Sequence, residues 1–76
     1  MTVDFELDAT GMACPVPIVK TAKKMREMIP GQTLKIISDD EGFKADIVAW
    51  CESTGNEFLS LEEKDGKIYG YVRKAA

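Results

Sequence analysis

The 76-residue sequence contains no histidine, two cysteines, three prolines and one tryptophan. Without histidine the chain cannot build Ser-His-Asp or Cys-His catalysis by itself. Two cysteines are too few for a zinc site made of four sulfur and imidazole ligands. We therefore expect neither a metal nor an organic cofactor, and any reactive group must be activated in another way.

A surplus of positive charge is also missing. Ten Lys and Arg face thirteen Asp and Glu, which gives a net charge of −3. Nucleic-acid binding normally relies on clustered Lys and Arg, so we expect no direct nucleic-acid partner. Long apolar runs are absent, and the first residues, MTVDFELD, lack a basic region followed by an apolar stretch. These absences predict a cytoplasmic protein that does not bind membranes and keeps free thiols.

The residues that are present predict one small domain over positions 1–76, because a chain of this length supports a single core. Polar and apolar residues alternate from Thr2 to Asp8, which is typical of a strand with one buried face. The apolar positions Ile18, Ala22, Met25 and Ile29 recur at helical spacing and predict an amphipathic helix, which Pro30-Gly31 ends.

The second half predicts three more strands and one helix. Leu34–Ser38 is a central strand, Gly55 closes a second helix, and strands over 57–64 and 68–74 flank the turn dipeptide Asp65-Gly66. The second helix has one apolar face, formed by Phe43, Ile47, Trp50, Cys51 and Thr54. The order β-α-β-α-β-β predicts an α/β (α+β) two-layer sandwich: a four-stranded mixed sheet with both helices on one face and the other face open.

The run Cys14-Pro15-Val16-Pro17 is the most informative stretch, because proline fits a helix only in its first turn. With Cys14 as N-cap, Pro15 and Pro17 are the first and third helical residues and the Val16 amide can donate to the sulfur. The helix dipole adds positive charge there, so we expect a lowered pKa and a nucleophilic Cys14. The alternative is that Cys14 serves only as a helix cap.

The first helix carries a basic run, Lys20, Lys23, Lys24 and Arg26. It is either a solvated face or a surface that steers an acidic protein partner toward Cys14. Cys51 has two interpretations as well: a small buried apolar residue, or a second thiol that pairs with Cys14.

Tyr69 and Tyr71 share one face of the last strand. Ordinary strand preference explains them, and stacking of RNA bases on the open sheet face is the functional alternative.

Several of these residues together resemble the TusA (SirA-like) family of small sulfur-carrier proteins, and the resemblance spans almost the whole chain. They are Leu7-Asp8, Gly11, Cys14-Pro15-Val16-Pro17, Gly31-Gln32, Asp39-Asp40, Asp46-Ile47 and Trp50-Cys51. The Cys-Pro-x-Pro motif is the most specific of them. The resemblance implies a fold similar to the C-terminal domain of translation initiation factor 3.

The resemblance further implies that Cys14 accepts a sulfane sulfur from a donor protein, holds it as a persulfide and relays it. Family donors are cysteine desulfurases or rhodanese-like proteins, and acceptors include DsrE-type subunits. Such a carrier is expected to be a monomer when free and to turn over no small molecule by itself. Pro15, Val16 and Pro17 would shape the motif, with Gly11 as a loop hinge. The competing function is a regulatory or protein-interaction module that does not need Cys14.

Overall fold

The computed structural model describes residues 2–75 and contains the predicted order of elements. Hydrogen bonding places most boundaries within one or two residues of the predicted ones. The elements are β1 (Phe5–Asp8), α1 (Val16–Glu27), β2 (Thr33–Ser38), α2 (Gly42–Thr54), β3 (Glu57–Lys64) and β4 (Lys67–Arg73).

The four strands form one mixed sheet in the order β1-β2-β4-β3. β1 runs parallel to β2, as a crossover through α1 requires, and the other neighbours are antiparallel. The predicted hairpin is confirmed: Asp65 and Gly66 have φ of 52° and 78°, the positive values of a two-residue turn that matches strand twist. The mixed sheet with two helices confirms the predicted fold class.

The core lies between the sheet and the two helices. Leu34 and Ile36 on β2 point to the same side as Ile68 and Val72 on β4, and all four are buried. The helices cover them with Met25 from α1 and with Phe43, Ile47 and Cys51 from α2. Both helices therefore share one face of the sheet, as predicted.

Gly70 on β4 marks a close approach between the sheet and α2. A Cβ atom there would lie 3.1 Å from two ring carbons of Phe43, which is itself buried. The glycine lets the phenyl ring pack directly on the strand backbone.

The predicted buried face of α1 is confirmed at Met25, but its first two positions are one residue too far along the chain. Pro17, Thr21 and Met25 are the buried positions, whereas Ile18 is half-buried and Ile29 is 64% exposed. The helix ends at Glu27, so Ile29 lies beyond it in the following turn. Thr21 is tolerated in the core because its hydroxyl donates to the Pro17 carbonyl at 2.8 Å.

The opposite sheet face carries Tyr69 and Tyr71, both half-buried. The Lys35 ammonium lies 5.0 Å from the centroid of the Tyr69 ring, and Glu62 pairs with Tyr69 across β3 and β4. Charges of both signs therefore surround the rings on this face. None of the helices in residues 2–75 is long and apolar enough to cross a membrane.

Candidate functional site

Cys14 lies at the surface, in the connection between β1 and α1. Its neighbours Ala13, Pro15 and Val16 are exposed too, so the thiol is open to approach. The Cys14–Pro15 peptide bond is cis. Cys51 differs: its side chain is 2% exposed and packs in the core, as the apolar interpretation predicted.

The start of α1 differs from the prediction. The N-cap is Pro15, not Cys14, and the helix begins at Val16. The Val16 amide donates to the Ala13 carbonyl at 2.9 Å instead of to the sulfur. Pro17 has no N–H, and the Ile18 amide donates to the Pro15 carbonyl at 3.1 Å. The amides of the first turn therefore donate to backbone carbonyls, which is why the expected hydrogen bond to the thiolate is missing.

The thiol instead meets α2. Cys14 Sγ donates to Asp46 Oδ2 at 2.7 Å. This hydrogen bond is the main reason that the pKa of Cys14 is raised, and partial desolvation and the negative charges of Asp46 and Asp40 act in the same direction. The expectation of a lowered pKa is therefore wrong for the free protein: the thiol contacts a carboxylate instead of a helix amide.

Two other carboxylates hold the loop that presents Cys14. Both oxygens of Asp39 accept from the Gly11 amide, at 3.0 and 3.1 Å. Asp8 accepts from the amide and the hydroxyl of Thr10, which also lowers the pKa of Asp8. Gly11 has φ of 78°, a value that favours glycine. Gly11 thus lies in a turn that is tethered to Asp39, the residue after β2, and its role as a hinge stays a prediction.

Gly42, the first residue of α2, lies where the side chains of Cys14, Asp40 and Asp46 approach one another. A Cβ at Gly42 would lie 3.1 Å from Asp40 Oδ2, and 3.9 Å both from Asp46 Oδ2 and from the Cβ of Cys14. These three side chains therefore converge on the first turn of α2. We call Cys14, Asp40 and Asp46 the thiol-carboxylate cluster.

The nearest cation on α2 does not neutralise this cluster. The Lys44 ammonium forms ion pairs with Glu41, at 3.0 Å, and with Glu63, at 2.5 Å. Glu63, on β3, and Glu41 raise the pKa of Lys44. The ammonium is therefore paired with these two carboxylates and not with Asp40 or Asp46. Cys14 therefore lies in an acidic environment.

The predicted docking lysines lie on α1, and two of the three are exposed. These are Lys20 and Lys23. Lys24 is half-buried: its ammonium lies 4.3 Å from the centroid of the Phe5 ring and 3.6 Å from Glu27. Lys20 and Lys23 are thus the better candidates for contact with a partner, whereas Lys24 covers the edge of the core.

Two apolar side chains next to Cys14 were not singled out as a surface from the sequence. Val16 is 41% exposed and Val19 is 61% exposed, one turn apart on α1. Both side chains lie outside the buried face of α1, which Pro17, Thr21 and Met25 form, and this position explains their exposure.

The sequence reasoning also missed the roles of Asp39 and Asp46. Both were among the residues that carry the family resemblance, which was the available signal, but nothing in the local pattern connects position 46 with position 14. Residues 2–75 hold no group of three or more His, Cys, Asp or Glu arranged to bind a metal ion.

Comparison with known proteins decides the family. The model of a family described as sulfurtransferase TusA matches residues 5–74. This chain belongs to the TusA family. The sulfur carrier protein TusA of Allochromatium vinosum is 39% identical over 72 residues, covering 95% of each chain. The protein of the same name from Pseudomonas aeruginosa PAO1 is 37% identical over 75 residues, 99% of this chain and 95% of that one.

Other relatives are longer than this chain. A protein of Aquifex aeolicus is 47% identical over 73 residues, which cover 96% of this chain but 37% of the relative, and for YrkF of Bacillus subtilis the chain covers 40%. The crystal structure of a SirA-like protein from Desulfitobacterium hafniense matches the TusA-family fold with a TM-score of 0.82 and 22% identity, over 95% of this chain and 99% of that one. Similarity to translation initiation factor 3 stays a prediction.

Proposed function

We propose that the protein is a sulfur carrier that holds a sulfane sulfur as a persulfide on Cys14. The observation that carries this proposal is the contrast between its two thiols, one exposed at the Cys-Pro-x-Pro motif and one buried. Relatives of the same length bear the name sulfur carrier protein, which supports the same role.

The transfer step needs little from the protein besides a presented thiol. The Cys14 sulfur attacks the terminal sulfur of a donor persulfide, R–S–SH, and the donor S–S bond breaks as the new one forms. The products are Cys14–S–SH and R–SH, and the Cys14 proton ends on the donor thiol. A second attack, by an acceptor thiolate on the Cys14 persulfide, passes the sulfur on. Neither step requires an external oxidant or a metal.

The partners in this proposal are proteins. The donor is a cysteine desulfurase or a rhodanese-like protein, and the acceptor is a DsrE-type subunit or another sulfur acceptor. Lys20 and Lys23 supply an exposed basic surface on the helix that follows Cys14. A cytoplasmic monomer that docks transiently fits this role, and such encounters gain speed from complementary charge.

Intact mass under non-reducing conditions tests the proposal. The protein is incubated with a cysteine desulfurase and cysteine, or with thiosulfate and a rhodanese, as wild type, Cys14→Ser and Cys51→Ser. We expect a reductant-labile gain of one sulfur atom in the wild type and in Cys51→Ser, and none in Cys14→Ser. A gain that persists in Cys14→Ser would contradict Cys14 as the site of the persulfide, and no gain in any of the three would favour an interaction module instead.

A further inference from the structure

We infer that Asp46 is a positioning residue that holds Cys14 as a neutral thiol until a partner protein docks. This inference rests on the proposed sulfur-carrier function. It assigns a role to a side chain on α2 that lies far from the Cys-Pro-x-Pro motif in the sequence and contacts its sulfur in the fold.

The geometry supports a directed interaction. The sulfur donates to Asp46 Oδ2 at 2.7 Å, so the Cys14 proton is oriented toward α2 and away from the solvent side of the loop. An ionised carboxylate only accepts hydrogen bonds, and it can therefore bind the thiol but not the thiolate. Each time Cys14 ionises, this hydrogen bond is lost and two negative charges are brought together.

The groups around the sulfur reinforce this preference. From the connection before α2, Asp40 adds a second negative charge, while Asp39 holds the Gly11 amide and fixes the loop that carries Cys14. On α2 itself, Lys44 is paired with Glu41 and Glu63. On α1, the amides of the first turn are bonded to backbone carbonyls.

The benefit of such a restraint follows from thiol chemistry. The thiolate is the form that reacts with oxidants and alkylating agents, so a carrier that keeps its exposed cysteine protonated is protected while it waits for a donor. A partner that brings a Lys or Arg side chain to Asp40 and Asp46 would neutralise the restraint where transfer occurs. The released proton then ends on the donor thiol, as the balanced transfer requires.

The test measures the rate of iodoacetamide labelling of Cys14 as a function of pH. Asp46→Asn keeps the shape of the side chain but removes its charge and offers an N–H to the thiolate. We expect the midpoint of the pH profile to fall and labelling at neutral pH to rise, by about tenfold for each pKa unit lost. Glu52→Gln, an exposed carboxylate on the same helix, removes the same charge and should leave the profile unchanged.

The outcomes separate this inference from the proposed function. A pH profile of Asp46→Asn that coincides with the wild type, in a variant with wild-type circular dichroism, overturns the role of Asp46, whatever the sulfur loading. A matching fall in Glu52→Gln overturns it too, because the effect would then be one of net charge alone. Failure of the wild type to gain sulfur from donors would instead refute the carrier function, and the pH profile of labelling would still test the role of Asp46.

Discussion

The two cysteines have pKa values raised by different causes. Cys51 is buried in the core, and burial raises the pKa of its thiol to about 11 because a thiolate there would lose its hydration. Cys14 is exposed, and its pKa is raised mainly by one hydrogen bond to Asp46. Burial keeps the pKa of Cys51 raised as long as the protein is folded. The hydrogen bond of Cys14, in contrast, is lost as soon as another group binds Asp46.

The cause of the raised pKa distinguishes Cys14 from Cys51 better than its direction does, because the direction is the same for both thiols. A raised pKa is often taken as a sign of an inert cysteine. Here the exposed thiol contacts a half-buried carboxylate near the protein surface, so its raised pKa does not conflict with the proposed sulfur transfer in a complex.

The largest expected effect is the difference in labelling between the two thiols of the native protein. Cys51 can react only after the core opens, which costs roughly 3–5 kcal/mol in a domain of this size. We expect Cys14 to be alkylated about 10²- to 10³-fold faster than Cys51 near neutral pH, as measured by peptide mass after timed labelling. Comparable rates would show that the core around Cys51 is open.

Alkaline pH should destabilise the protein through Cys51. The pKa of Cys51 is higher in the folded state than in the unfolded chain. The stability that the protonated thiol contributes is therefore fully present below the ordinary thiol pKa and is lost as pH rises to about 11. The full loss is about 2–3 kcal/mol, at about 1.4 kcal/mol for each pKa unit.

Urea unfolding of the wild type and of Cys51→Ala at several alkaline pH values measures this term. Cys51→Ala is less stable near neutral pH because it leaves a small cavity, yet its stability should fall less between pH values of about 8.5 and 11. All other ionisable groups are common to both proteins, so their effects cancel in the comparison. Equal slopes would rule out ionisation of Cys51 as the cause.

A substitution in the core should change the labelling rate of Cys51 without changing that of Cys14. Gly70→Ala forces a methyl group against the Phe43 ring, and overpacking of this kind typically costs about 1–3 kcal/mol. We expect labelling of Cys51 to rise by the corresponding factor while the labelling rate of Cys14 stays constant. Cys14 is then the internal control, and a parallel rise at both sites would mean that Gly70 also supports the loop.

The sequence was sufficient to predict the elements of the fold because each depends on local chemistry. The alternation in β1, the turn at Asp65-Gly66 and the left-handed Gly55 after α2 were all predicted and confirmed. The buried face of α1 was predicted correctly at Met25 and one residue out of place at its first two positions. Thr21 looks polar in the sequence, and only the internal hydrogen bond to Pro17 lets it lie in the core.

The environment of the thiol could not be predicted in the same way. The position of Cys14 before two prolines indicated an exposed cysteine, which is confirmed, but its pKa depends on Asp46, 32 positions away in the sequence. The expectation of a lowered pKa considered only the start of α1. The Asp46 side chain comes from α2, and the packing of α2 against the loop is a property of the whole fold.

Exchange of a docking lysine should affect partner encounters but not the thiol. Lys23→Glu reverses an exposed charge on α1, and we expect slower sulfur loading from an acidic donor, by roughly three- to tenfold at low ionic strength. High salt should abolish the difference, and iodoacetamide labelling of Cys14 should match the wild type. Loading that does not depend on this charge at low salt would indicate that α1 is simply a solvated face.

The smallest expected effect concerns Asp40. This carboxylate raises the pKa of Cys14 through its charge, without the hydrogen bond that Asp46 makes. Asp40→Asn should therefore increase Cys14 labelling by only about two- to threefold, and 1 M salt should reduce the difference because the Debye length is then roughly 3 Å. The effect of Asp46→Asn should persist in the same salt, since a hydrogen bond in direct contact is screened far less. If the two variants respond equally to salt, the restraint on Cys14 is a diffuse negative field and not the contact with Asp46.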